Sequence, residues 1–154
     1  MTIKKVSNLS KTVLVIAGSD PSGGAGIQAD LKVFSAHKVY GMAAITALTA
    51  QNTTGVSAIH TPSADFVAKQ IRMVFADIHV DAVKVGMVAN AEIAEAVAIT
   101  LKEVKAKNIV LDPVMIAKGG SPLLTKEAMG CMRDMLVPLA DIPIEVAKVL
   151  FLNN

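Results

Sequence analysis

Thr12-Val13-Leu14-Val15-Ile16-Ala17-Gly18-Ser19-Asp20-Pro21-Ser22-Gly23-Gly24-Ala25-Gly26-Ile27-Gln28-Ala29-Asp30-Leu31 is the stretch that decides the fold. Thr12 to Ala17 is apolar and largely β-branched, the composition of a buried strand. After the glycine-rich turn, Ile27, Leu31 and Phe34 fall at i, i+4 and i+7, the spacing of one helix face. Met42 to Thr49 is again apolar and β-branched. The three segments make a strand, a crossover helix and a second strand, a unit that implies parallel pairing.

The same alternation continues outward. Thr61-Pro62 predicts a helix start, because proline suits the first helical position, and Val67, Ile71 and Val74 share one face of that helix. A small hairpin extension is expected around Val56 to Ile59. Ala82 to Met87 predicts the third main strand, followed by Asn90 as a cap and by Ile93, Val97, Leu101 and Val104 on one helical face. Ile109 to Leu111 predicts the fourth, and Thr125 begins a last amphipathic helix carrying Met129, Met132 and Leu136 and closed by Pro138. Four strand–helix repeats predict an α/β fold, an open and mostly parallel sheet with helices on both faces. Ligands bind beyond the carboxyl ends of such strands. Gly18-Ser19-Asp20, Gln51-Asn52, Gly86-Met87 and Asp112 follow the four predicted strands, so they are expected to converge on one cleft.

Composition narrows the function. A chain of 154 residues, 53% apolar and 18% charged, supplies a core for one domain without metals or disulfides. The formal charge of +2 is spread along the chain with no like-charge block, and aromatics make up 3%, so nucleic acid is not an expected partner. Lys4, Lys5 and Lys11 before Val13 to Ala17 imitate a signal peptide, but the apolar run is too short, and no stretch reaches the ~18 apolar residues of a membrane helix. The single cysteine, Cys131, has no disulfide partner within the chain, and cytoplasm is the expected compartment. His37, His60 and His79 show no metal-ligand spacing to one another or to Cys131 and read as surface or boundary residues.

Ser22-Gly23-Gly24-Ala25-Gly26 lies where small residues let a ligand approach and where free amides would face outward to meet an anion or a polar ring. Gly24-Ala25-Gly26-Ile27-Gln28-Ala29 matches the dinucleotide fingerprint in form, yet no acidic residue for a ribose occurs between Asp30 and Asp65. The nucleotide P-loop reading is weak for a similar reason, since the loop continues Gly26-Ile27-Gln28 instead of ending in Gly-Lys-Ser/Thr. A tight turn with no ligand is the competing reading. Asp30, one turn into the helix, serves by local physics equally well to relieve the helix dipole or to bind a ligand.

Val15 to Lys32 resembles, almost letter for letter, the opening signature of the hydroxymethylpyrimidine/phosphomethylpyrimidine kinases, which are ribokinase-like enzymes of thiamine synthesis. Tyr40-Gly41, Ile45 to Thr53, Lys84-Val85-Gly86-Met87 and Val110 to Met115 are similar to later blocks of that family in the same order, and the resemblance covers about residues 12 to 141. It implies a partial ribokinase-like fold and a cleft for the aminopyrimidine alcohol, with ATP and Mg2+ entering beside it for phosphoryl transfer to the hydroxymethyl oxygen or its monophosphate. It further implies that Asp30 and Gln51 hydrogen-bond the pyrimidine edge, that Met87 and Val114 pack on its ring, and that Gly18 lines the substrate site. Asp112 is implied near the phosphates and the metal, and Lys118 near a phosphate. A carboxylate accepts from an exocyclic amine, an amide both donates and accepts, and two apolar side chains sandwich a flat ring.

The sequence departs from that family in two places. It contains no Gly-Thr-Gly motif, the element in which ribokinase-like enzymes hold the transferring phosphoryl group. Residues 142–154 diverge, so 1–154 is expected to be a single incomplete domain whose unfinished sheet favours self-association. A non-catalytic remnant that binds the pyrimidine or a partner protein is the first alternative; a kinase for pyridoxal-type vitamers is the second.

Overall fold

The computed structural model describes residues 11–113 and 126–144. Its six strands are β1 (Thr12–Ser19), β2 (Tyr40–Gln51), β3 (Val56–His60), β4 (Ala82–Val85), β5 (Ile109–Leu111) and β6 (Ile142–Pro143), in the spatial order β3-β2-β1-β4-β5-β6. All neighbours pair in parallel except β2 and β3, which form an antiparallel hairpin. The helices are α1 (Gly26–Ala36), α2 (Ala64–Asp77), α3 (Ala91–Glu103) and the short α4 (Lys126–Cys131).

Alternation along β1 divides the core. Leu14 and Ile16 point to the face covered by α2 and α3, where they meet Ile71, Val83, Val85, Val97 and Leu101. Val15 and Ala17 point to the opposite face, where α1 packs Ile27, Leu31 and Phe34 against them. Burying one such aliphatic side chain contributes about 1.5–3 kcal/mol, so a strand apolar on both sides is held in the middle of the sheet. The helices therefore lie on both faces, as the alternation predicts.

The chain also reverses direction across the sheet at β1. From β1 it moves outward to β2 and β3, then returns through α2 to β4 on the other side. That reversal is a topological switch point, where flanking connections leave on opposite faces and a crevice opens at the carboxyl ends of the strands. The crevice falls between the ends of β1 and β4.

Several element boundaries differ from the periodicity. Helix α2 begins at Ala64, because the Ser63 side chain accepts from the Phe66 amide and caps it, leaving Thr61-Pro62 outside. Asn90 caps α3 as expected, its side-chain oxygen 2.9 Å from the Ile93 amide. Strand β2 is longer than Met42 to Thr49, since Tyr40 and Gly41 pair with β1 and residues up to Gln51 pair with β3. Strand β4 ends at Val85, although the Gly86 amide still bonds the Ile16 carbonyl at 2.9 Å. The last predicted helix is broken in kind: α4 gives way to a π-turn at Met132–Leu136 and a 3-10 turn at Val137–Leu139. Pro138 has no amide to donate and crowds the preceding turn, and the wider turn, with the Val137 amide on the Met132 carbonyl, absorbs this. Thr125 lies outside the described residues.

Ile142 and Pro143, the first residues of the tail read from sequence as divergent, extend the sheet beside β5. The side chain of Asp141 accepts from the Ile109 amide at 2.8 Å, and the Ile144 amide donates to the Leu111 carbonyl, also at 2.8 Å. The β5 edge is thereby paired, and β3 and β6 are the edges of the described sheet.

Candidate functional site

A cavity of about 610 Å³ opens at the switch point. Gly18, Asp20, Asp30, Gln51, Lys84 and Met87 line it, contributed by four separate elements and the turns after them.

Its floor is the glycine loop. Asp20 is buried, and its carboxylate accepts from the Ser22 amide and hydroxyl at 2.8 and 2.7 Å, from the Gly24 amide at 3.0 Å and from the Ala25 amide at 2.9 Å. The Gly23 amide is taken by the Asp20 carbonyl at 2.9 Å. Burial acts to raise the pKa of Asp20, but the four hydrogen bonds together outweigh it and hold the carboxyl below its usual range. The amides of residues 22–25, expected to face an anion, are thus occupied by Asp20 itself, those of Ser22, Gly24 and Ala25 by its carboxylate and that of Gly23 by its backbone carbonyl. The loop is a preorganised wall and not an empty phosphate cradle.

Two further contacts lock this wall. Gln28, reaching back from α1, accepts from the Asp20 amide at 2.8 Å and donates to the Ser19 hydroxyl at 2.7 Å. Gly26 sits at φ +56 with its Cα against the Gly18 carbonyl, and a Cβ there would lie 2.3 Å from that oxygen. Only glycine allows the start of α1 to approach the end of β1 so closely.

The side wall carries charge. Asp30 Oδ1 is 2.6 Å from Lys84 Nζ, and Asp112 Oδ2 is 3.4 Å from the same ammonium. Lys84 therefore links a carboxylate on α1 to one at the end of β5. Asp30 Oδ2 is buried and has no hydrogen-bond partner among the described residues, a lone pair set available for a donor. Across the cleft, Gln51 stands at the end of β2, where its side-chain carbonyl accepts from the Thr49 hydroxyl at 3.1 Å. The same hydroxyl proton is shared with the Ser19 carbonyl, the nearer acceptor at 2.8 Å. The Met87 sulfur lies 3.2 Å from where a Gly18 Cβ would be, so a side chain at position 18 would crowd it.

The structure therefore brings Gly18, Asp30, Gln51 and Met87 to one cavity and joins Asp112 to it through Lys84. Val114 and Lys118 lie outside the described residues. Among the described residues no three His, Cys, Asp or Glu side chains cluster to hold a metal ion, and no helix is long and apolar enough to cross a membrane. Sequence reasoning missed the roles of Asp20, Gln28 and Lys84. The signal for Lys84 was present: a lysine in the middle of Ala82-Val83-Lys84-Val85, an otherwise apolar interior strand, is costly unless paired. Asp20 and Gln28 carried no such signal, because polar residues around a glycine turn are ordinary.

The phosphomethylpyrimidine kinase family model matches residues 20–144. The chain is 54% identical over 125 residues to hydroxymethylpyrimidine/phosphomethylpyrimidine kinase of Escherichia coli, covering 81% of this chain and 47% of that protein. The crystal structure of phosphomethylpyrimidine kinase from Clostridium difficile superposes with a TM-score of 0.82 at 52% identity, over 86% of this chain and 58% of that one. Pyridoxal kinase from Staphylococcus aureus in complex with pyridoxal is more distant, with a TM-score of 0.75 and 36% identity over 86% of this chain and 49% of that one. The chain spans about half the length of the curated relatives it matches.

Proposed function

The chain belongs to the phosphomethylpyrimidine kinase family, and from that premise we propose that its cleft binds 4-amino-5-hydroxymethyl-2-methylpyrimidine or its monophosphate for ATP-dependent phosphorylation in thiamine diphosphate synthesis. The observation that carries this reading is Asp30, whose buried Oδ2 has no partner among the described residues, on the wall of a cavity that also presents an amide and a thioether. A flat aminopyrimidine satisfies all three. Its exocyclic amine donates to Asp30, its ring nitrogen and amine exchange hydrogen bonds with Gln51, and its face packs on Met87.

The chemistry proposed for this chain's own residues is binding and orientation. Lys84 neutralises Asp30, so that the carboxylate is buried without isolation. Asp112, more exposed than Asp30 and on the far side of the Lys84 ammonium, is the carboxylate suited to a hydrated dication brought in by a nucleotide, since magnesium is commonly held by one or two protein carboxylates plus phosphates. Bound there, Mg2+ with ATP would supply charge neutralisation for the transferring phosphoryl group. Val114 and Lys118 are proposed to complete the ring sandwich and the phosphate contact. The two carboxylates that Lys84 bridges would thus mark a ring end, at Asp30, and a phosphate end, at Asp112.

A thermal-shift and calorimetric titration with the aminopyrimidine alcohol, run beside pyridoxal and beside Asp30→Ala, tests the reading. Stabilisation by the aminopyrimidine that exceeds that by pyridoxal and disappears in Asp30→Ala is the expected result. Preference for pyridoxal would move the chain to the vitamer kinases. Coupled detection of ATP consumption and phosphomethylpyrimidine then separates a kinase from a protein that only binds the ring.

A further inference from the structure

Strand β2 contains an irregularity that the binding residues alone do not explain. Ala17 pairs with Ile45, but the next residue, Gly18, pairs with Ala47, so Thr46 is an extra residue in β2 beside the end of β1. Such bulges re-aim side chains and recur next to functional sites. Thr46 is fully buried, and its hydroxyl donates to the Met87 carbonyl at 2.7 Å. Met87 belongs to neither β2 nor its neighbour; it follows β4, on the other side of β1. The bond therefore passes over the glycine at position 18, whose missing side chain also makes room for the Met87 sulfur.

The bulge is held open from outside. On the edge of β2 away from β1, pairing with β3 begins only at Leu48. There the Gln70 side chain, from α2, stands in for a strand: it accepts from the Ile45 amide at 2.9 Å and donates to the Ile45 carbonyl at 3.1 Å. Both backbone groups beside the bulge are satisfied by one amide, so the ladder has no reason to slip back into register.

We propose that Thr46 is a positioning residue which, through its bond to the Met87 carbonyl, fixes the Met87 thioether over the cleft and so sets the gap that admits a flat ring. This rests on the ring-binding reading above for its ligand, though not for its geometry. Residues 86–89 form no regular element, and Met87 lies between Gly86, which adds backbone freedom, and the buried Val88. Without the Thr46 hydroxyl, the Met87 carbonyl loses its buried donor and the segment loses its only described side-chain tether to β2.

The test uses methyl-13C methionine NMR on the purified chain, with thermal melting and ring titration in parallel. In the wild type the Met87 methyl is expected to be rigid, and the methyl of Met73, which is 68% exposed on α2, to be mobile. Thr46→Val keeps the shape and removes the donor; it should shift and mobilise the Met87 methyl, leave Met73 unchanged, and weaken aminopyrimidine binding on the order of tenfold, the worth of about one net hydrogen bond. Thr46→Ser should restore both. A Met87 methyl that is unchanged in folded Thr46→Val overturns the proposal, and so does a wild-type Met87 methyl as mobile as that of Met73, a result that requires no variant. If the wild type binds no aminopyrimidine while Met87 still responds to Thr46→Val and recovers in Thr46→Ser, the ligand assignment fails and the positioning role stands.

Discussion

Asp20→Asn is the substitution whose cost is best determined by the geometry. The Asp20 carboxylate accepts four hydrogen bonds in a buried setting, three from backbone amides and one from the Ser22 hydroxyl. Asparagine keeps one acceptor oxygen and turns an NH2 group toward the other donors, so at least one amide bond is lost and the rest weaken to bonds with a neutral group, together the worth of about two of the four. At about 1.5 kcal/mol for each bond to a charged group, the loss is about 3 kcal/mol. For a chain of this size that corresponds to a fall of about 6–12 °C in melting temperature at neutral pH. The pH dependence provides an independent sign. Because the folded carboxyl is held below its ordinary value of 3.8, its contribution is complete above that value and is lost as pH falls through the folded pKa. The gap between wild type and Asp20→Asn, followed by circular dichroism melts, should therefore be full at pH 7 and close in strong acid. A variant within about 1 kcal/mol of wild type at pH 7, or a gap that persists undiminished in acid, would refute the argument that this carboxylate organises the loop.

Other substitutions probe the remaining walls of the cleft. Lys84→Met removes the 2.6 Å partner of Asp30 and the 3.4 Å partner of Asp112; partial exposure limits the loss of stability to about 1–2 kcal/mol, read by urea denaturation. The same variant should lose affinity for the aminopyrimidine by more than its stability change explains, since Asp30 then faces the ligand without its counter-charge. Gly26→Ala forces a Cβ to 2.3 Å from the Gly18 carbonyl at φ +56, so it should cost at least the ~1–2 kcal/mol of the left-handed conformation and displace the end of β1. Gly55→Ala, with nothing within 4 Å of the added Cβ, is its neutral control in the same melts. Arg72→Ala breaks an exposed bidentate pair with Glu103 between α2 and α3, and its small effect on melting should vanish in high salt.

Sequence alone determined the layered plan. The β-branched apolar run at Thr12 to Ala17, the glycine turn and the Ile27, Leu31, Phe34 stripe could satisfy their periodicities only as a strand, a turn and a helix packed on it. Repetition of that unit placed the polar strand ends on one side, and Gly18, Gln51 and Met87 do meet there, with Asp30 of α1 beside them. Those signals are local, and local signals survive in one dimension. Tertiary structure decided everything that depends on a partner distant in the chain. It placed β1 at the point where the sheet reverses, set Lys84 between two carboxylates 54 and 28 residues away, and made Ile142 and Pro143 a strand because Asp141 and β5 were there to receive them. It also turned the glycine-loop amides inward onto Asp20, where the sequence pattern offered them to an anion. The bulge at Thr46 belongs to the same class: register is a relation between two strands, and neither strand's sequence contains it.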